Sequence, residues 1–259
     1  MRINAIGLTA LLIYGFWSVE PSLAKILDNP ITGISGTVIE FEDGPSLSLD
    51  GLRLTNGQKS SKIATEGTEY LERLLADSPL TLETDLFARQ HAVHNRYGDY
   101  RGKLVTANGV WVQKTMIEQG YAWWSGAADY PPELVSKLRN AEAIARMNRA
   151  GIWQEFSLLD VNASATSAVK GDFVIAKGRV IGVFETPKNT YLNFGEDWRT
   201  DFTAAISSKK RKNFAAQGWK LTDLKNKLVM IRGIIRFYNG PYMELDFPEQ
   251  LEIMETKSE

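Results

Sequence analysis

The chain has 259 residues, with 30 basic and 31 acidic side chains, 44% hydrophobic residues and no cysteine. These values exclude a polytopic membrane protein, a disulfide or zinc-thiolate scaffold, and a strongly basic nucleic-acid binder. The length suffices for one large or two small hydrophobic cores, because domains cluster around ~100–150 residues. Composition assigns no reaction to the protein.

The first residues have the pattern of an export signal. A basic residue precedes an apolar run over residues 5–17, and Ser22 and Ala24 put small side chains at the usual positions before a cleavage site at Lys25. The run is shorter than the ~20 residues that span a bilayer. We therefore predict a signal peptide or an uncleaved anchor in residues 1–24. The bulk of the chain is then periplasmic or secreted, with membrane attachment only through the apolar run.

A stretch of small polar residues over 157–169 predicts a linker. It divides the chain into two predicted domains, residues 25–156 and 170–259. Residues 25–167 carry a net charge of −4 and residues 168–259 a net charge of +3. The near-neutral total therefore conceals an acidic first domain and a mildly basic second one.

The first domain is predicted to begin with short strands and to continue with helices. Alternating apolar residues indicate strands, and apolar residues at helical spacing indicate helices. In chain order the predicted elements are strands 38–41, 47–49 and 52–54, a helix over 65–75, strands 79–86 and 103–106, and helices over 112–119 and 133–149. Strands followed by helices predict a small barrel of the α+β class.

A set of short motifs runs in order through this domain. They are Asp43-Gly44, Leu52-Arg53-Leu54, Arg96-Tyr97-Gly98, residues 109–113, 119–122 and 141–146, and Gly151-Ile152-Trp153. Residues 36–153 therefore resemble the staphylococcal nuclease (thermonuclease-like) family, whose fold is a five-stranded OB-type barrel with three helices. The resemblance implies Ca²⁺-dependent hydrolysis of phosphodiesters, in which carboxylates hold the metal and two arginines stabilise the developing charge.

The resemblance assigns roles to three residues of this sequence. It implies Arg53 as the first catalytic arginine and Asp43 as a metal ligand. The second arginine is displaced, because Asp99 stands at the family's position and Arg101 follows two residues later. We therefore predict Arg53 and Arg101 as the catalytic pair and Ca²⁺ as the cofactor if the family mechanism is retained.

Three other family positions are changed. Pro45 and Gln58 stand where the family has metal-binding aspartates, and Ser61 stands where it has the glutamate that acts as general base. Ca²⁺ takes about six to eight oxygen ligands, so loss of two carboxylates predicts very weak binding. Loss of a general base typically costs ~10²–10⁴ in rate. The sequence thus predicts a degenerate phosphodiesterase site with weak or no nuclease activity, and the alternative is an active Ca²⁺-dependent endonuclease.

Other side chains of the first domain offer alternative sites. The carboxylates that could rebuild a metal site are Glu66, Glu69, Asp85 and Asp99, although a solvated helix face and a loop account for them more simply. His91 and His94 have no third ligand in view and are interpreted as loop histidines. The adjacent Trp123 and Trp124 are a candidate surface platform on which bases stack.

The second domain alternates more cleanly. Its predicted strands are 173–183, 190–194, 201–206, 228–237, 242–245 and 250–253, with a helix over 208–217. A helix between the third and fourth strands is the order of the OB fold, so we predict a second, OB-like barrel that is mostly β.

This domain resembles small nucleic-acid-binding OB domains through Gly178-Arg179-Val180, Arg232-Gly233-Ile234 and Asn239-Gly240-Pro241. Such barrels stack the bases of single strands on strands two and three beside basic residues. The predicted nucleic-acid-binding residues are Tyr191, Phe194, Trp198, Arg199, Lys209, Lys210, Arg211 and Lys212. The competing interpretation is that the aromatic residues are core and the charges are solvated, which leaves a protein partner as the alternative ligand.

Overall fold

The computed structural model describes residues 24–54, 61–76, 79–83, 94–127, 130–162, 170–197 and 199–254. These residues contain four α-helices and four β-sheets, in agreement with the predicted mixture of helices and OB-type strands. An N-terminal part, residues 24–156, and a C-terminal part, residues 159–254, each have a hydrophobic core. The predicted signal or anchor lies outside the described residues, except for Ala24.

The N-terminal part is built of nine strands and three helices among its described residues. In chain order they are β1 (Ala24–Leu27), β2 (Ile31–Ser35), β3 (Val38–Phe41), β4 (Leu47–Ser48), β5 (Leu52–Leu54), α1 (Ser61–Leu75), β6 (Leu80–Glu83), β7 (Tyr100–Arg101), β8 (Lys103–Val105), α2 (Val112–Glu118), β9 (Ala122–Trp124) and α3 (Pro132–Met147). The strands form three sheets with the orders β1-β6-β8, β2-β3-β4-β7 and β5-β9.

The helices of this part form where apolar residues recur on one face. In α3, Leu134, Leu138, Ala141 and Ala145 are buried, whereas Met147 at the end of the helix is 76% exposed. Helix α2 ends before Gly120, whose φ is +73°. A Cβ at Gly120 would lie 2.1 Å from the carbonyl oxygen of Ala150, so only glycine fits there.

The C-terminal part is built mainly of strands. Its elements are β10 (Leu159–Asp160), β11 (Phe173–Arg179), β12 (Gly182–Glu185), β13 (Asn189–Asn193), β14 (Thr203–Ser207), α4 (Ser208–Ala216), β15 (Leu228–Phe237), β16 (Pro241–Glu244) and β17 (Leu251–Ile253). They pair in the order β10-β11-β15-β16-β14-β13-β12, with β17 also on β15. The parallel β14–β16 pair and the helix between β14 and β15 follow the OB order.

Two details of this sheet differ from the sequence prediction. The predicted strand 173–183 is two strands, because the chain leaves the sheet after Arg179 and re-enters it at Gly182. Strand β10 lies inside the predicted linker and pairs in parallel with β11. Val161, just after β10, is buried in the C-terminal core against Gly178, where a Cβ would lie 2.2 Å from it. Residues 159–161 of the predicted linker therefore belong to the C-terminal sheet and core.

The two parts share a third cluster of buried residues. Its members from the N-terminal part are Ile63, Trp123, Ala145, Ile152 and Trp153, and those from the C-terminal part are Ile175 and Met230. Because the cluster consists of buried apolar residues drawn from both parts, their contact resembles a protein core rather than a solvated linker contact.

Buried charges also join the two parts. Arg232 Nη1 donates to Glu142 Oε2 at 2.8 Å and to the carbonyl oxygen of Trp124 at 2.7 Å. The side chains of this ion pair are 1% and 2% exposed. Arg139 Nη2 donates at 3.0 Å to the carbonyl oxygens of both Glu249 and Leu251. Helix α3 is thereby fixed to β15, to the first residue of β17 and to the segment before it.

None of the four helices in the described ranges is long and apolar enough to cross a membrane.

Candidate ligand-binding cleft

A cleft of about 360 Å³ lies between the two parts. Residues 48–53 and Ser125 line it on the N-terminal side. On the C-terminal side it is lined by Phe173 and by the outward residues of β15 and β16, among them Ile234 and Glu244. The cleft therefore brings together the segment that carries the predicted catalytic Arg53 and a surface that sequence reasoning assigned to another domain.

Arg53 projects into this cleft. It lies in β5, where the flanking Leu52 is buried and Arg53 itself is exposed. Its guanidinium carbon is 5.9 Å from the centre of the Phe173 ring, within the range of a cation–π contact. The predicted arginine is thus present and accessible, and an aromatic ring of the C-terminal part is its neighbour.

Arg101 has a different environment. Its Nε atom lies 2.6 Å from Asp50 Oδ2, and the two side chains are 11% and 13% exposed. Asp50 also acts on the buried Tyr130. Burial raises the pKa of Tyr130 well above its usual value, and the negative charge of Asp50 raises it further. Asp50 lines the cleft, whereas Arg101 does not. The predicted catalytic pair is therefore split between one arginine in the cleft and one in a shielded ion pair.

The predicted metal ligand Asp43 lies in an exposed turn between β3 and β4. Its backbone oxygen accepts a hydrogen bond of 2.8 Å from Asn29 Nδ2, and it does not line the cleft. Pro45 in the same turn has no side-chain oxygen to offer. No group of three acidic or histidine side chains in the described ranges is arranged to hold a metal ion. The donors seen here do not fit a Ca²⁺ site of the usual ligand number.

The remaining metal candidates give no stronger site. Gln58, Asp85, His91 and the side chain of Ser61 lie outside the described residues. Glu66 forms an i,i+4 ion pair with Lys62 at 3.7 Å, as expected for a solvated helix face. Asp99 accepts a hydrogen bond from Asn95, and His94 Nδ1 lies 2.9 Å from the carbonyl oxygen of Gly98.

Residues 50–155 match the family model described as staphylococcal nuclease homologue. This part of the chain belongs to the staphylococcal nuclease homologues. The match confirms the family that the motifs predicted, and it runs from the cleft residue Asp50 to the end of the turn that follows α3. It ends before β10, so the family match does not extend into the C-terminal part. No curated protein matches the chain.

The tryptophan pair of the nuclease-homologue domain is not a surface platform. Trp123 is 8% and Trp124 0% exposed, so the prediction that bases stack on them is wrong. Trp123 packs on Phe156 and Phe173, with ring centres 5.0 Å and 5.8 Å apart. These aromatic residues form the contact between the nuclease-homologue domain and the C-terminal part.

The residues of the predicted aromatic platform in the C-terminal part differ in their exposure. Phe194 is 1% exposed and packs edge-on against Phe202, so it cannot stack on a base. Tyr191 is half-buried on the outer side of β13, and Trp198 lies outside the described residues. Arg199 is exposed in the loop before β14, where its backbone N–H donates to Asp197 Oδ1.

The basic run of α4 is partly neutralised. Lys210 Nζ lies 3.9 Å from Asp246, and Arg211 lies 3.7 Å from Glu185 while donating to the carbonyl oxygen of Thr186 at 2.7 Å. Lys209 and Lys212 are exposed. None of the four lines the cleft, so the run contributes to the surface potential rather than to the cleft itself.

Proposed function

We propose that the protein is an exported, nuclease-family binding protein whose phosphodiester hydrolysis is weak or absent. Its ligand in this proposal is single-stranded nucleic acid, held in the cleft between the nuclease-homologue domain and the C-terminal part. The observation that carries the proposal is the split arginine pair. Arg53 faces the cleft beside Phe173, while Arg101 is tied to Asp50. Export rests on the N-terminal sequence pattern, and detection of a periplasmic form that begins at Lys25 is its test.

The charges of the cleft support binding of modest strength. Arg236 at the rim is paired with Glu244 at 2.9 Å, which leaves Arg53 as the cation without an acidic partner among the described lining residues. One guanidinium beside one aromatic ring suits a phosphate and its adjoining base. Non-specific binding of nucleic acid typically has Kd values of about 10⁻⁴–10⁻⁶ M at physiological salt, and so few phosphate contacts place this protein at the weak end of that range.

Two arginines would be needed for the family's reaction. Hydrolysis requires charge stabilisation at the phosphate, and removal of one donor typically costs ~10²–10³ in rate. Arg101 is held by Asp50, and Pro45 stands in place of a metal ligand. The site can therefore still bind a phosphate through Arg53, but it lacks the groups that would cleave a phosphodiester efficiently. An active Ca²⁺-dependent endonuclease is the second candidate, favoured by the family match and by the accessible Arg53.

Replacing Arg53 with alanine is expected to weaken binding of a labelled oligothymidine of about 12 nucleotides by roughly three- to tenfold at low salt. The slope of log K against log salt should become shallower by about 0.7, because one phosphate contact is lost. Fluorescence anisotropy over a salt series measures both quantities. The matched control is Arg96→Ala, an exposed arginine that contacts Tyr97 and lies outside the cleft. Equal effects of both variants, or no binding at low salt, would contradict the proposal and leave a protein partner.

A further inference from the structure

The described lining of the cleft carries two arginines and three carboxylates, namely Arg53, Arg236, Asp50, Glu244 and Asp246. Two of the carboxylates have a cation outside the lining. Asp50 pairs with Arg101 at 2.6 Å. Asp246 lies 3.9 Å from Lys210. Only the third of these lining carboxylates, that of Glu244, takes its counter-charge from the cleft itself, because its partner is Arg236.

The ion pair between Arg236 and Glu244 is exposed to solvent. Arg236 Nη1 donates to Glu244 Oε2 at 2.9 Å, and the two side chains are 63% and 48% exposed. Arg236 on β15 stands directly opposite Tyr242 on β16, so its contact with Glu244 is a diagonal one across the two strands. Exposed pairs contribute little to stability, because water screens both charges. A stronger anion can therefore replace the carboxylate at small cost.

Arg236 lies on the same wall of the cleft as the ring beside Arg53. Ile234 and Arg236 both line the cleft from β15, and Ile234 is paired in register with Phe173. Residues two apart in a strand are about 6.6 Å apart and neighbouring strands about 4.8 Å, so the Cα atoms of Arg236 and Phe173 are roughly 8 Å apart. The phosphates of one nucleic-acid strand follow each other every ~3.4 Å along a duplex axis. A strand that passes over Phe173 can thus present one phosphate to each arginine.

We propose that Arg236 is a second phosphate-binding residue of the cleft and that Glu244 competes with the ligand for it. Carboxylate and phosphate oxygens accept the same paired hydrogen bonds from a guanidinium group, so only one of them can occupy Arg236 fully. A ligand with a single phosphate uses Arg53 alone, whereas a strand with several phosphates also displaces Glu244. This inference rests on the proposed function, since it concerns the same cleft and the same class of ligand.

Removing the charge of Glu244 is expected to strengthen oligothymidine binding. In Glu244→Gln the guanidinium of Arg236 has no carboxylate to displace, so the affinity should rise about three- to fivefold at low salt. Fluorescence anisotropy with the full chain and the labelled oligothymidine measures this gain. The matched control is Glu118→Gln, which removes the same charge from an ion pair with Lys114 outside the cleft and should leave the affinity unchanged.

A double variant assigns the gain to Arg236. Arg236→Ala is expected to weaken binding about three- to fivefold in the natural chain, because one phosphate contact is lost. In Arg236→Ala combined with Glu244→Gln, the gain from the second substitution should disappear, since no guanidinium is left to be released. Both side chains are exposed, so neither substitution disturbs the core.

Three results would overturn this inference while the cleft proposal stands. They are an equal gain in Glu118→Gln, a gain from Glu244→Gln that persists in Arg236→Ala, and binding that Arg53→Ala weakens but Glu244→Gln does not strengthen. A lack of oligothymidine binding at low salt, in both the natural chain and Glu244→Gln, would overturn the inference together with the proposed function. The two failures are therefore distinguishable.

Discussion

Replacing Glu142 with alanine is expected to destabilise the protein by about 3–5 kcal/mol, because Arg232 is left buried without its counter-charge. Glu142 also accepts the backbone N–H of Trp124 at 2.9 Å, and that donor loses its partner in the same variant. The carboxylate therefore serves both the nuclease-homologue domain and its contact with the C-terminal part. Equilibrium unfolding in urea, followed by tryptophan fluorescence, measures the change.

Two further variants make this result specific. Glu133→Ala removes an exposed acid from the first turn of the same helix and is expected to cost no more than about 1 kcal/mol. Glu142→Gln keeps the volume and the acceptor for Trp124 but removes the charge, and it should fall between the two. A cost below about 1 kcal/mol for Glu142→Ala would show that the buried ion pair is not what holds the parts together.

Trp123→Ala should lower both the free energy of unfolding and the affinity for oligothymidine. Truncation of a buried tryptophan typically costs about 3–5 kcal/mol, because it removes apolar contact and leaves a cavity. Trp123 packs on Phe173, and the Arg53 guanidinium lies 5.9 Å from the centre of the same Phe173 ring, so the cleft loses support in this variant. Urea unfolding gives the first quantity, and anisotropy under conditions where the variant is folded gives the second.

Tyr238→Ala is the matched control for the tryptophan variant, because it also removes a large aromatic side chain but from a position that is 76% exposed. Its expected cost is within about 0.5 kcal/mol. If Trp123→Ala unfolded at the same urea concentration as this control, that result would show that the packed contact between the two parts does not stabilise the protein. Normal oligothymidine affinity in a destabilised Trp123→Ala variant would separate stability from the cleft and contradict the link between them.

Local patterns predicted the elements whose signals are strong. Strand β15 occupies Leu228–Phe237, as the long apolar run indicated. The helix over 112–119 and the family motifs around Arg53 were also predicted correctly, because short helices and motifs depend on neighbours in the chain. The family match over residues 50–155 confirms this local information.

The sequence predictions that were wrong or missed concern burial and contacts between residues far apart in the chain. Asp50 and Arg101 are 51 positions apart, and no local pattern predicts that they pair. Trp123 resembles a surface aromatic residue until the C-terminal part covers it, and the exposure of Phe194 depends on which side of β13 faces the core. Strand β10 was missed because two residues among small polar neighbours become a strand only when β11 pairs with them.

The most direct test of the account is cleavage of single-stranded DNA by purified residues 25–259, with Ca²⁺ and with a chelator. We expect no Ca²⁺-dependent cleavage above background, and no difference between the natural chain and Arg53→Ala, while oligothymidine binding falls in that variant. Robust Ca²⁺-dependent cleavage that disappears in Arg53→Ala would contradict the account and establish an active nuclease.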